Sequence, residues 1–134
     1  MVEDWRDSSF ACGNFFGVDQ FGVGYLALVD WVEAYLNGWG VTAHRVYNAD
    51  RTKAALYAHI GPEVAGGVIL SGHSDVVPVD GQPWTSDPWV VTERDGRLYG
   101  RGTCDMKGFV ALALAAVPGV GTQGQRALLP RDAN

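Results

Sequence analysis

Residues 68–75 read VILSGHSD, and this stretch carries the decision about fold class. Val68, Ile69 and Leu70 form a continuous run of β-branched residues and leucine between the glycine pair Gly66–Gly67 and Gly72. A short apolar run without polar alternation predicts a strand covered on both faces, as in the middle of an α/β sheet. His73 then falls just past the strand's carboxyl end, where open α/β sheets gather their ligands.

Towards the N-terminus, Leu28, Val32, Tyr35 and Leu36 recur at helical spacing, predicting an amphipathic helix over 25–37 capped by Gly38. Residues 41–47 (VTAHRVY) predict a strand. Residues 54–60 (AALYAHI) predict another, with Ala54, Leu56, Ala58 and Ile60 on one face and Tyr57 and His59 on the other. Towards the C-terminus comes a long loop restrained by Pro78, Pro83 and Pro88 and carrying Trp84 and Trp89. VVTERDGRLYG predicts a hairpin turning at Asp95–Gly96, and residues 106–117 predict a helix stopped by Pro118 and Gly119. The sum is an α/β fold, a mixed sheet flanked by helices, spanning 25–118. Residues 1–24 show no sustained period, and 119–134 read as an unpacked tail.

With 134 residues the chain holds one domain with a core, not two. Its net charge of −5 argues against nucleic acid and anionic membranes as partners and suits small cationic or zwitterionic ligands. The longest apolar run, FVALALAAV at 109–117, falls short of the ~20 residues that span a bilayer. Cys12 and Cys104 make no disulfide framework and no secretory signal pattern opens the chain, so a cytoplasmic setting is expected.

Residues two apart in an extended segment point the same way, so His73 and Asp75 can meet. An imidazole that binds zinc through one nitrogen is often steadied by a carboxylate at the other. Taken alone, the pair is more often a loop histidine held by an acid. Asp105 stands just before a helix, where aspartate commonly caps free N–H groups. A lone cysteine such as Cys104 is more often a buried thiol than a ligand. GRGTCDMKG (100–108) fails the phosphate-loop pattern, since Met106 precedes Lys107 and Gly108 follows it. It fails the dinucleotide fingerprint as well, because Asp105 takes the place of the third glycine, and no G-x-S-x-G occurs in the chain. His44 and His59 have no acidic cluster beside them and read as structural or surface residues, while Trp84 and Trp89 could line a ligand pocket, though packing of the long loop explains them at least as well.

SGHSDVVPVDGQPWTSDPW (71–89) and LYGRGTCDMKG (98–108), in this order with a hairpin between them, resemble the co-catalytic zinc aminoacylase and peptidase family. The likeness runs from about Leu26 to Pro118. The DGQPWTSDP loop and the cysteine before Asp105 are most similar to the branch that deacetylates N-acetyl-ornithine in arginine biosynthesis. The resemblance implies a zinc-exopeptidase-like fold, here incomplete, and two Zn2+ ions (or Co2+) in a complete site. By the same likeness His73 is a terminal metal ligand, Asp105 bridges the two metals, and Asp75 is a catalytic residue orienting the His73 ring. The peptide after Asp105 is then expected to be cis. The implied substrate is a small N-acyl amino acid, with desuccinylase or dipeptidase specificity, or a non-catalytic remnant, as alternatives. Full-length members are expected to be homodimers.

The family's Glu-Glu pair and its later acidic and histidine ligands have no counterpart after Pro118, where Asp132 is the only acid and no histidine occurs. The expectation is therefore a fragment, produced by a shifted reading frame at one or both ends, with weak two-metal binding and no appreciable activity of its own.

Overall fold

The structure is a computed structural model that describes residues 24–127, with side-chain surroundings from 26 to 120. In chain order it has helix α1 (Gly24–Gly38), strands β1 (Ala43–Tyr47) and β2 (Ala54–Ala58), strands β3 (Thr92–Arg94) and β4 (Arg97–Tyr99), and helix α2 (Lys107–Ala127). Apart from Gly24, the aperiodic segment 1–24 lies outside the described residues, as do residues 128–134.

The helix expected over 25–37 forms within one residue of its predicted ends, but its cap is Gly40 rather than Gly38. The Val41 N–H donates to the Leu36 carbonyl at 2.9 Å and the Gly40 N–H to the Asn37 carbonyl at 3.0 Å. These two bonds define a Schellman motif, which requires a left-handed residue at the position Gly40 fills with φ of 73°. The motif's apolar contact is also made, since Leu36 and Val41 both belong to the core cluster.

β1 and β2 pair antiparallel from Ala43 opposite Ala58 to Tyr47 opposite Ala54. Their connection is knotted together by Asn48, whose Oδ1 accepts from the Lys53 N–H at 2.8 Å, and by Asp50, whose Oδ1 accepts from the Thr52 hydroxyl at 2.6 Å. Those Thr52 bonds hold the Asp50 carboxyl below its ordinary pKa. Arg45 joins this hairpin to α1 through Glu33 and, at 2.6 Å, through Asp30. β3 and β4 form the hairpin predicted around Asp95–Gly96, whose φ values of 53° and 69° are those of a type I′ turn.

The core lies between the two helices and the inner face of the first hairpin. Leu28 and Leu36 of α1, Val41, and Leu114 and Val117 of α2 are buried together, with Tyr35, Leu56 and Ile60 packed on them. The predicted inner face of 54–60 is thus partly realised, Ala54 being buried and Leu56 and Ile60 half-buried while Tyr57 and His59 are exposed.

Two expectations about this region need correction. α2 does not stop at Pro118 but continues through it to Ala127. Proline removes the N–H that would bond the carbonyl four residues back, here that of Leu114. That carbonyl instead accepts a hydrogen bond from the Tyr35 hydroxyl of α1 at 3.3 Å, so the helix passes the proline without orphaning a half-buried acceptor. The second correction concerns the sheet. The α/β class stands, but the described strands form two separate two-stranded antiparallel sheets rather than one mixed sheet. Residues 68–70 join neither sheet, and Val68, Ile69 and Leu70 are exposed where burial on both faces was expected. A strand of this composition gains its burial from neighbours, and no described segment lies beside it to supply them.

Candidate metal site

Two close approaches place the 71–76 segment on the start of α2. A Cβ added to Gly72 would lie 2.6 Å from Val110 Cγ2 and 3.3 Å from Phe109 Cδ1, so only glycine lets the backbone rest on the first turn of the helix. Four residues on, Val76 is buried and faces Gly102, where an added Cβ would stand 2.8 Å from Val76 Cγ1. The 72–76 stretch is therefore fixed at both ends to residues 102–110, with His73 and Asp75 between the fixed points.

The other side of the site is the turn through 100–106. The Thr103 hydroxyl donates to the Gly100 carbonyl at 2.9 Å and the Arg101 N–H to the Pro88 carbonyl at 2.7 Å, tying the turn to the proline-restrained loop. The Arg101 guanidinium also bonds Gln82 and lies 5.0 Å from the centre of the Trp84 ring, in agreement with a packing role for that tryptophan. The Asp105–Met106 peptide is cis, as the resemblance implied.

His73 and Asp105 converge. His73 Nε2 stands 3.3 Å from Asp105 Oδ1, and His73 Nδ1 stands 3.3 Å from Asp75 Oδ1. A closer partner of Nδ1 is the Asp75 main-chain carbonyl, at 3.0 Å. A carbonyl only accepts, so in that bond Nδ1 carries the proton, and Nε2 is the ring nitrogen that faces Asp105. Asp75 thus meets the ring with main chain and side chain alike. The main-chain contact is not visible in a residue pattern, although its two-residue spacing is.

Asp105 does not cap α2. Its carboxylate accepts no hydrogen bond from the helix amides among the described residues, and its side chain is 87% exposed, against 49% for His73. Cys104, expected to be buried, is exposed. Among the described residues, the fully buried polar side chain is that of Lys107, three positions on, whose stem packs on Gly102. Sequence reasoning missed that role, because a lysine opening a helix gives no sign of facing inward. His44 stacks on Tyr57 at 4.9 Å on the outer face of the first hairpin, and His59 is exposed, so neither approaches the site's chemistry.

The donor set suits a divalent metal in kind and in spacing. Two donors bound at about 2.0–2.1 Å to one tetrahedral zinc stand roughly 3.3–3.4 Å apart, close to the observed His73–Asp105 separation. A charge-assisted hydrogen bond would be shorter, about 2.7–2.9 Å. The set is nevertheless partial, for the described residues contain no group of three or more His, Cys, Asp or Glu side chains arranged to hold an ion.

Comparison with known proteins finds relatives of the segment that holds these residues. Residues 69–128 match the profile of peptidase family M20/M25/M40. Over that stretch the chain is a fragment similar to the M20 peptidases. Among curated proteins, it is 47% identical over 87 residues to the acetylornithine deacetylase of Shigella sonnei, a match covering 65% of this chain and 22% of the relative. Among solved structures, human carnosine dipeptidase 1 superposes with a TM-score of 0.67 at 27% identity, covering 81% of this chain and 27% of that one. The chain thus spans about a quarter of the length of these relatives. Among the described residues no helix is long and apolar enough to cross a membrane.

Proposed function

We propose that this chain supplies part of the metal centre of an M20-type amide hydrolase acting on N-acetyl-ornithine, and that alone it has no appreciable turnover. The observation that carries the reading is the approach of His73 Nε2 to Asp105 Oδ1 at 3.3 Å, with Nδ1 held by Asp75. His73 and Asp105 would hold the metal. A bound divalent ion in such enzymes lowers the pKa of water and polarises the scissile carbonyl. Asp75 would hold the ring's direction from Nδ1, leaving Nε2 to meet the metal. Asp105, with two oxygens and open surroundings, can serve two cations at once. The choice of N-acetyl-ornithine over other acylated amino acids or dipeptides is supported by the identity to acetylornithine deacetylase and by the DGQPWTSDP loop.

A graft tests the proposal. Residues 26–118 replace the matching segment of the Shigella sonnei relative, and hydrolysis of N-acetyl-ornithine is followed with zinc and with cobalt. The graft is expected to be active. His73→Ala or Asp105→Ala should abolish its activity, and Asp75→Asn should lower metal affinity or rate by about 10–100-fold. Full activity in the His73→Ala graft would rule out the ligand assignment. Turnover by the isolated chain would refute the claim that its own donor set is insufficient.

A further inference from the structure

Lys107 is 0% exposed, although Asp105 before it in the same turn has its side chain 87% exposed. A lysine ordinarily lays its stem on apolar surface and keeps its ammonium in water. Here the whole side chain is enclosed, so the stem is held along its length. Three stretches meet around it. Lys107 itself opens α2, whose Phe109 and Val110 seat Gly72. Gly102 lies in the turn that carries Asp105, and a Cβ added there would stand 3.2 Å from Lys107 Cδ and 3.3 Å from Cγ. The same Cβ would stand 2.8 Å from Cγ1 of Val76, which is buried at the end of the His73–Asp75 stretch. Val76 and the lysine stem thus share one face of Gly102. The turn closes beside them, where the Gly108 N–H donates to the Gly102 carbonyl at 3.4 Å and a Cβ on Gly108 would overlap the Thr103 carbonyl oxygen.

We propose that Lys107 is a positioning residue, its buried stem being the spacer that sets the His73 stretch against the Asp105 turn and so holds the 3.3 Å approach of Nε2 to Oδ1. The consequence for metal binding rests on the ligand reading above, whereas the spacing itself does not. Removing the stem leaves a void beside Gly102 and Val76, and packed segments shift to fill such a void. Donors of a metal site must be held within about 0.5 Å of their working geometry, so a shift that spares the helices is still felt by the pair.

The test begins with the full chain, free of metal, and reads nuclear Overhauser contacts between the His73 ring and Asp105. Lys107→Ala should lose them while keeping its helical circular dichroism. Lys107→Met, which retains a long unbranched stem without the charge, should restore them. Val117→Ala, in the core further along α2, should lower stability yet keep the contacts. Intact contacts in Lys107→Ala would overturn the proposal. So would their loss in Val117→Ala, which would make the effect one of general loosening. Loss in Lys107→Met would overturn the stem's role even if the alanine variant failed to fold. In the graft described above, Lys107→Ala should weaken cobalt binding about tenfold or more, with recovery in Lys107→Met. Unchanged cobalt affinity in Lys107→Ala would overturn the claim that the spacing serves the metal. Failure of the ligand reading shows separately, as full activity in the His73→Ala graft.

Discussion

The helix–hairpin unit and the 61–76 arm are made of similarly apolar sequence and end in opposite states. In the first, α1, the β1–β2 hairpin and α2 close on Leu28, Leu36, Val41, Leu114 and Val117, and Tyr35 bonds across to the Leu114 carbonyl. In the second, Val68–Leu70 stand open, yet three residues further His73 is in place opposite Asp105. Burial of the strand and placement of the imidazole are therefore separable. The strand's burial needs distant neighbours, whereas the imidazole needs only the seats at Gly72 and Val76.

The deepest intervention on the closed unit is Leu114→Ala, which should cost about 2–5 kcal/mol by removing side-chain atoms from a packed interior. Urea unfolding followed by circular dichroism measures it, and a cost below about 1 kcal/mol would show that the two helices are not packed as described. On the arm, Gly72→Val should cost less, about 1–3 kcal/mol, because the new side chain collides with Val110. It should also swing His73 from Asp105, an effect visible as loss of nuclear Overhauser contacts between the His73 ring and the 103–107 turn. Retention of those contacts would break the proposed separation of the two regions.

A smaller effect distinguishes how the closed unit tolerates its proline. Tyr35→Phe should cost about 1 kcal/mol by leaving the Leu114 carbonyl short of a donor. The cost should shrink in a Pro118→Ala background, where residue 118 regains its N–H; equal costs in both backgrounds would sever the link between Tyr35 and Pro118. The same phenol gives a pH signature. Burial, partly offset by a hydrogen bond with Trp39, raises the Tyr35 pKa above its ordinary 10.0. Stability from this group is complete below about pH 10, where both states keep the proton, and declines as pH rises through the folded pKa because the unfolded chain ionises first. Tyr35→Phe should flatten that alkaline slope. Least of all should come from Asp50→Asn, at an exposed turn. Because the folded Asp50 pKa is lowered, its contribution is present above the unfolded carboxylate pKa and fades as pH falls through the folded value. A thermal midpoint that is equally acid-sensitive with and without Asp50 would remove the residue from the account.

What was legible in the sequence followed the range of the forces involved. α1, the first hairpin and the Asp95–Gly96 turn rest on local period and turn chemistry, and each formed near its expected place. The C-cap was misplaced by two residues because Gly38 and Gly40 are equally capable, and only the bonds to Leu36 and Asn37 decide between them. Pro118 misled for a related reason, since the donor that relieves it comes from Tyr35, 83 positions earlier in the numbering. The VIL run was read as covered on both faces because its composition reports what a strand requires, not what its surroundings provide. The meeting of His73 with Asp105 was drawn from resemblance, since spacing alone favoured an ordinary loop histidine and a helix cap. The seats that bring the two together are contacts of Gly72 and Gly102, which no periodicity reveals.

The Tyr35–Leu114 bond also sets an order of events for α2. Before α1 arrives, nothing relieves the gap that Pro118 leaves in the helical ladder, so winding beyond that point is conditional on docking. A peptide of residues 107–127 cut free of α1 should coil over its first turns and remain loose past the proline.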